Sequence, residues 1–291
     1  MANDLPLFAM LADSVDRHAQ DGIRHHVVVP AADLPEFRRF AGPNRDIIAQ
    51  EDLLPVRLWK LPGALRHLAP ISEGFRRPIY LTSDRHLVRG WMLQQLLKLN
   101  FARASGDAAV MHVDSDVCFF RDITHGDAFA GDRTRFFRVT GNTRNPKHRA
   151  WTDTAARFLG IDPPSGPGAH FVENCVLWDS GVVRALIDRI EAVAGHPLSQ
   201  VVFGADTMSE YYVYGLFADH LAPDGALHPQ SVSFCLSHWP DETDGPVDLD
   251  TLRARLDPGH RAIAIQSTNP IPLARRGDIY QTARREFGQQ G

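Results

Sequence analysis

Cysteine and lysine are both scarce in this chain. Three thiols, Cys118, Cys175 and Cys235, stand far apart in 291 residues, each among apolar neighbours. No Cys-x-x-Cys pair exists, which removes the usual thiolate metal sites, and an odd, scattered set gives no disulfide framework. Buried free thiols in a reducing compartment are the expectation. Lysine occurs only as Lys60, Lys98 and Lys147, so arginine carries nearly all of the positive charge. The net charge of -4 lacks the basic excess of a nucleic-acid binder and suggests no polybasic patch for an anionic membrane. Also missing is any run of about 18 apolar residues that could span a bilayer. Residues 1–20 have no basic start followed by an apolar core, so they do not read as a secretory signal. The expectation is a soluble cytoplasmic protein, with attachment at the inner membrane face left open.

What is present reads as an ordinary globular chain, 44% hydrophobic and 23% charged, long enough for one large α/β domain. Short apolar runs at 25–30, 45–49, 135–139, 171–178 and 262–266 predict strands. Helical spacing is clearest over 90–104, where Trp91, Leu93, Leu96, Leu97 and Phe101 recur before the Ser105-Gly106-Asp107 stop. Further helices are expected at 31–40, 148–159, 181–193 and 206–219, with a loop at 163–168. A polar, acidic connection follows at 240–250, and the residues after Arg275 read as a polar end that frays. Strands alternating with helices predict an α/β fold with a mostly parallel mixed sheet flanked by helices. A single domain is expected over 1–291, with a core at about 24–268 and a C-terminal extension at 269–291.

The most informative stretch is Ala-Val-Met-His-Val-Asp-Ser-Asp-Val-Cys-Phe-Phe, residues 109–120. An apolar run ends in two carboxylates, Asp114 and Asp116, around Ser115. Strand alternation would turn both to one side, at the sheet end where open α/β folds bind ligands. Burying them unpaired would cost several kcal/mol, so a positive partner is expected, and a divalent cation with a phosphate is the simplest. Lys98 on the preceding helix is a candidate point charge for a donor phosphate, with Gln95 one turn away on the same face. Glu210 and Asp206 lie one helical turn apart and are candidates for the base that takes an acceptor proton. Glu173 and Asn174 interrupt an apolar strand and need partners. His25, His26, His112 and His170 read as structural, and Trp91, Trp151, Trp178 and Trp239 as core.

A strand leading into Asp-x-Asp with an apolar continuation resembles the signature of glycosyltransferases with the GT-A fold, a Rossmann-like architecture. Gly-Trp-Met-Leu-Gln-Gln-Leu-Leu-Lys-Leu at 90–99 and Ser-Glu-Tyr-Tyr-Val-Tyr-Gly at 209–215 resemble an uncharacterised bacterial group placed near those enzymes. Phe-Val-Glu-Asn-Cys-Val-Leu-Trp-Asp at 171–179 is similar to the second half of the GT-A sheet. The resemblance implies a metal-dependent transferase that moves a sugar from a nucleotide-sugar donor to a glycan or lipid-linked acceptor, for example in surface polysaccharide synthesis. It implies that Asp116 binds Mn²⁺ or Mg²⁺, and that Asp114 reaches the donor ribose or sugar, or the same metal. Ser115, Lys98, Gln95, Glu173 and Asn174 would line the donor site, and Asp206 and Glu210 would serve catalysis. A late histidine is a further implied ligand, with His238 the candidate and Gln266 the alternative. Two other readings stay open: a phosphatase of the haloacid dehalogenase type with Asp114 as nucleophile, and a GT-A-like protein that binds nucleotide or glycan without catalysis.

Overall fold

The computed structural model describes residues 4–62, 78–141, 146–166, 168–239 and 247–288. An opening helix, Leu5–His18, precedes a parallel strand pair, His25–Val29 and Arg45–Ala49. Short helical turns fill the span between them. An antiparallel three-stranded sheet follows, made of Leu58–Lys60, Ile79–Thr82 and Leu87–Arg89. Its last strand runs straight into the helix Gly90–Ala104, where Met92, Leu93, Leu96 and Leu99 form the buried stripe.

Two sheets place the Asp-x-Asp segment. Ala109–Val113 pairs antiparallel with Cys175–Asp179. After the two aspartates the chain turns into Val117–Phe119, which lies antiparallel to Ala262–Ile265. That strand in turn lies parallel to Cys235–His238. Helices Pro146–Leu159, Ser180–Ala194 and Glu210–His220 pack with Gly90–Ala104 around the largest core, which buries Leu96, Leu99, Ile187, Tyr212 and Tyr214. Ser180–Ala194 has clear end signals: the Asp179 carboxylate accepts the Val182 amide at 2.9 Å, and Gly195 closes the helix at φ 67°. Gly215 lets Glu210–His220 settle against Phe171, since a Cβ there would lie 2.3 Å from the ring. Gly215→Ala should therefore cost about 1–3 kcal/mol by overpacking, read as a lowered midpoint in denaturant.

The α/β class holds, but the pairing corrects one expectation. Among the described residues three strand pairs are parallel and six antiparallel, so the sheets are mixed rather than mostly parallel. Short connections such as the turn between Ile79–Thr82 and Leu87–Arg89 leave no room for a crossover, which parallel neighbours need. The segment after Arg275 also differs from the expected frayed end. Leu273–Phe287 is a helix that buries Ile279, Tyr280, Ala283 and Phe287 against Leu236 and Ile263. Most of the expected connection at 240–250, namely 240–246, lies outside the described residues, as does position 167 of the expected loop. All three thiols are free, with Cys175 and Cys235 buried.

Candidate functional site

Asp114 and Asp116 lie in a tight turn. The Val117 amide donates to the Asp114 carbonyl at 3.3 Å, and the strand has already ended at Val113. Strand alternation therefore does not govern these side chains, and they diverge, contrary to the expected common side. Ser115 sits half-buried between them.

Asp114 turns toward the helix Gly90–Ala104. The Lys98 ammonium lies 3.4 Å from Asp114 Oδ1, 3.2 Å from Glu210 Oε1 and 2.6 Å from the Tyr211 hydroxyl. An ammonium has three protons, and these three acceptors match them. Burial works against the charge on Lys98. Asp114, Tyr211 and Glu210 overcome it and hold the ammonium well above the ordinary lysine range. Burial likewise raises Glu210, with Lys98 pulling it back. Lys98 is thus turned inward onto protein partners, and Glu210 is its buried counter-ion. Asp114 stays one-third exposed. Gln95 is committed as well: its Oε1 accepts the Glu210 amide at 2.9 Å, which satisfies the first turn of the helix Glu210–His220. Asp206 stands outside that helix, exposed, four residues before its start, so the expected shared face with Glu210 does not form. The non-helical stretch 205–209 ends at Ser209 in the N-cap position, a residue type that favours caps over helix interiors.

Asp116 turns the other way. It is 7% exposed, and its Oδ2 accepts the Ser267 amide at 2.6 Å. Its Oδ1 is buried with no hydrogen-bond partner among the described residues. Burial and the nearby Asp114 charge push its carboxyl up to about 6, against the lowering pull of the Ser267 amide. The backbone here is held from the C-terminal helix. Tyr280 donates to the Asp116 carbonyl at 2.8 Å. The buried Arg276 grips the carbonyls of Ile265, Gln266 (2.9 Å) and Asn269 (2.8 Å).

The strand Ala262–Ile265 links this turn to the other expected residues. The Ile265 amide donates to the Asp116 carbonyl, and Ile265 is the register partner of His238 on the far side. Asp116 and His238 therefore flank one strand end, two inter-strand spacings or about 10 Å apart along the sheet. His238 is buried, its Nδ1 has no partner among the described residues, and burial with the Arg255 charge lowers its pKa. Gln266, the alternative ligand, accepts from the Thr268 hydroxyl at 3.0 Å.

Glu173 and Asn174 precede the strand Cys175–Asp179 rather than interrupting it. The Asn174 carbonyl accepts the Asp114 amide at 3.3 Å, which ties them to the turn. Glu173 Oε1 accepts the Asn174 amide at 2.8 Å and the Ser237 hydroxyl, and Asn174 Nδ2 donates to the same hydroxyl oxygen at 2.8 Å. Desolvation pushes Glu173 up to about 7 despite these hydrogen bonds. The residue as a whole is half-buried, and a carboxyl raised this far changes charge near neutral pH. Its charged form also opposes folding. The folded pKa lies above the ordinary 4.5, so the wild type should lose stability relative to Glu173→Gln as pH rises from about 4.5 to 7, with no further loss above. Urea melts across that range check the sign.

Ser237, Ser267, Arg276 and Tyr280 complete the site without having been singled out in the sequence. Of these only Tyr280 carries a sequence signal, through its helical spacing with Ile279, Ala283 and Phe287. Among the described residues no three His, Cys, Asp or Glu side chains form a ready metal cage. Magnesium-type sites commonly use one or two carboxylates, with substrate phosphates and water completing the shell. The orphaned Asp116 oxygen fits that pattern.

A family described as a family of unknown function, DUF6492, matches residues 1–250. No curated protein matches the chain.

Proposed function

The chain belongs to the DUF6492 family, and from the residues of its own site we propose that it is a metal-dependent glycosyltransferase with a GT-A-like core, acting from a nucleotide-sugar donor on a glycan or lipid-linked acceptor. The observation that carries this reading is Asp116 Oδ1, a buried carboxylate oxygen without a protein partner, in a turn beside the partly exposed Asp114 and across one strand end from His238. Such an atom is costly to bury unless a ligand completes it.

Asp116 would hold Mn²⁺ or Mg²⁺ through Oδ1 while the Ser267 amide fixes Oδ2. His238 is the second ligand candidate. The bound cation would supply Lewis-acid neutralisation of the departing nucleoside diphosphate. Asp114, with Oδ1 toward Lys98, presents its exposed edge to a donor hydroxyl or the metal. Glu173 takes the acceptor hydroxyl proton, a role first expected of Glu210 or Asp206. Glu210 is buried against Lys98 and Asp206 stands outside the cluster, whereas Glu173 is both partly exposed and raised to about 7. Turnover should accordingly rise with pH through an apparent value near 7, and Glu173→Gln should remove that limb.

Thermal unfolding in the presence of UDP, GDP or CDP, with and without Mn²⁺, tests the reading. One nucleoside diphosphate at ~100 times its Kd should add about 2.7 kcal/mol, and only with metal present. No stabilisation by any of the three with Mn²⁺ would overturn it.

A further inference from the structure

The whole-chain charge conceals a local one. The described residues 57–62 and 78–89 carry four Lys or Arg against one Asp, in a protein whose net charge is -4. Within these segments lies the sheet of Leu58–Lys60, Ile79–Thr82 and Leu87–Arg89. Its register sets Trp59 beside Leu81, and Leu81 beside Leu87. Cross-strand partners share a face, so the three form one apolar row. The alternate positions Tyr80 and Val88 are buried in the main core. The row therefore looks outward, and Trp59 is 52% and Leu87 39% exposed. Cations surround it. Arg57 sits immediately ahead of the strand, two positions before Trp59, and Arg85 sits at the hairpin tip; Lys60, at the strand end, alternates to the other face, and all three are exposed. None has an ion-pair partner among the described residues. Arg85 holds φ 68°, a left-handed position that glycine or asparagine would occupy at lower cost.

An indole ring and leucines flanked by long cations are suited to a phospholipid headgroup boundary, where the ring and the alkyl stems enter the apolar layer and the charges stay wet. We propose that this sheet face docks the protein on an anionic phospholipid surface. The charges favour that occupant over a second copy of the chain. Two such faces together would oppose Arg57 and Arg85 with their own images, while an anionic surface complements both. The face is coupled to the site by direct continuity, since Leu87–Arg89 leads into the helix that carries Gln95 and Lys98. The inference does not depend on the transferase reading, and it reverses the expectation drawn from net charge alone.

Co-sedimentation of the full chain with vesicles tests it, using phosphatidylcholine alone and phosphatidylcholine mixed with phosphatidylglycerol. Binding is expected to the anionic vesicles only, and added salt should release it. Arg57→Ala/Arg85→Ala should weaken partitioning roughly 25-fold, at about 1 kcal/mol per cation. Trp59→Ser/Leu87→Ser should also lose binding while the protein keeps a cooperative melt, since neither side chain belongs to the buried core. Absence of binding to anionic vesicles, or binding unaltered in both double variants, would overturn the proposal. So would equal binding to neutral vesicles.

Discussion

Asp116→Asn should lower turnover by about 10³-fold, the upper range for one group aimed at developing charge. It should also abolish the Mn²⁺-dependent stabilisation by the nucleoside diphosphate. The amide oxygen of asparagine can still accept the Ser267 amide, and the Tyr280 contact is to backbone. The fold should therefore survive, with near-wild-type circular dichroism and a cooperative melt. What is lost is the anionic Oδ1 that has no protein partner. Full activity in a folded Asp116→Asn protein would sink the proposed mechanism. Asp114→Asn makes the useful contrast, because its Oδ1 faces Lys98 and the substitution also disturbs that cluster.

Lys98→Met has the largest expected effect on stability. It removes the one cation held between Asp114, Glu210 and Tyr211 and leaves two carboxylates without their counter-charge. Breaking a buried pair by deleting one partner costs about 3–5 kcal/mol, mainly because the remaining charge stays buried. In a chain of this size that corresponds to a fall of roughly 10 °C in the unfolding midpoint. Glu210→Gln in the same protein should recover part of the loss by removing the buried charge that Lys98 neutralised. A Lys98→Met protein within 1 kcal/mol of wild type, roughly the level of an exposed pair, would show that the cluster is better solvated than its geometry implies. Lys98→Arg should not restore it, since a planar guanidinium cannot replace a compact ammonium among three convergent acceptors.

Legibility in the sequence followed the range of the forces involved. Gly90–Ala104 and Ser180–Ala194 were readable because their apolar spacing and end signals are local. The strands at 25–29, 45–49 and 262–265 were readable as short apolar runs for the same reason. Strand direction was not, because it depends on which distant segment pairs with which. Leu273–Phe287 gives a weak signal because its average is polar: it holds four arginines, and one of its five buried positions is itself Arg276. The carboxylate pair is visible in the sequence but its geometry is not: the Val117 to Asp114 hydrogen bond makes a turn where an apolar flank suggests continued strand. Lys98 was recognised as unusual among three lysines, yet its partners Glu210 and Tyr211 come from more than a hundred residues away. Separations of 64 and 151 residues likewise hid Ser237 from Glu173 and Ser267 from Asp116.

The grip of Tyr280 and Arg276 on the Asp116 turn bears on how this protein can be shortened. The family match ends at residue 250, but the backbone that steadies Asp116 is supplied from beyond it. A version trimmed to the matched boundary would retain both aspartates while losing a strand, an amide donor and a phenol that keep one of them in place. Its inactivity would say nothing about the chemistry of the intact protein, and a bulky fusion pressed against the helix Leu273–Phe287 carries the same risk.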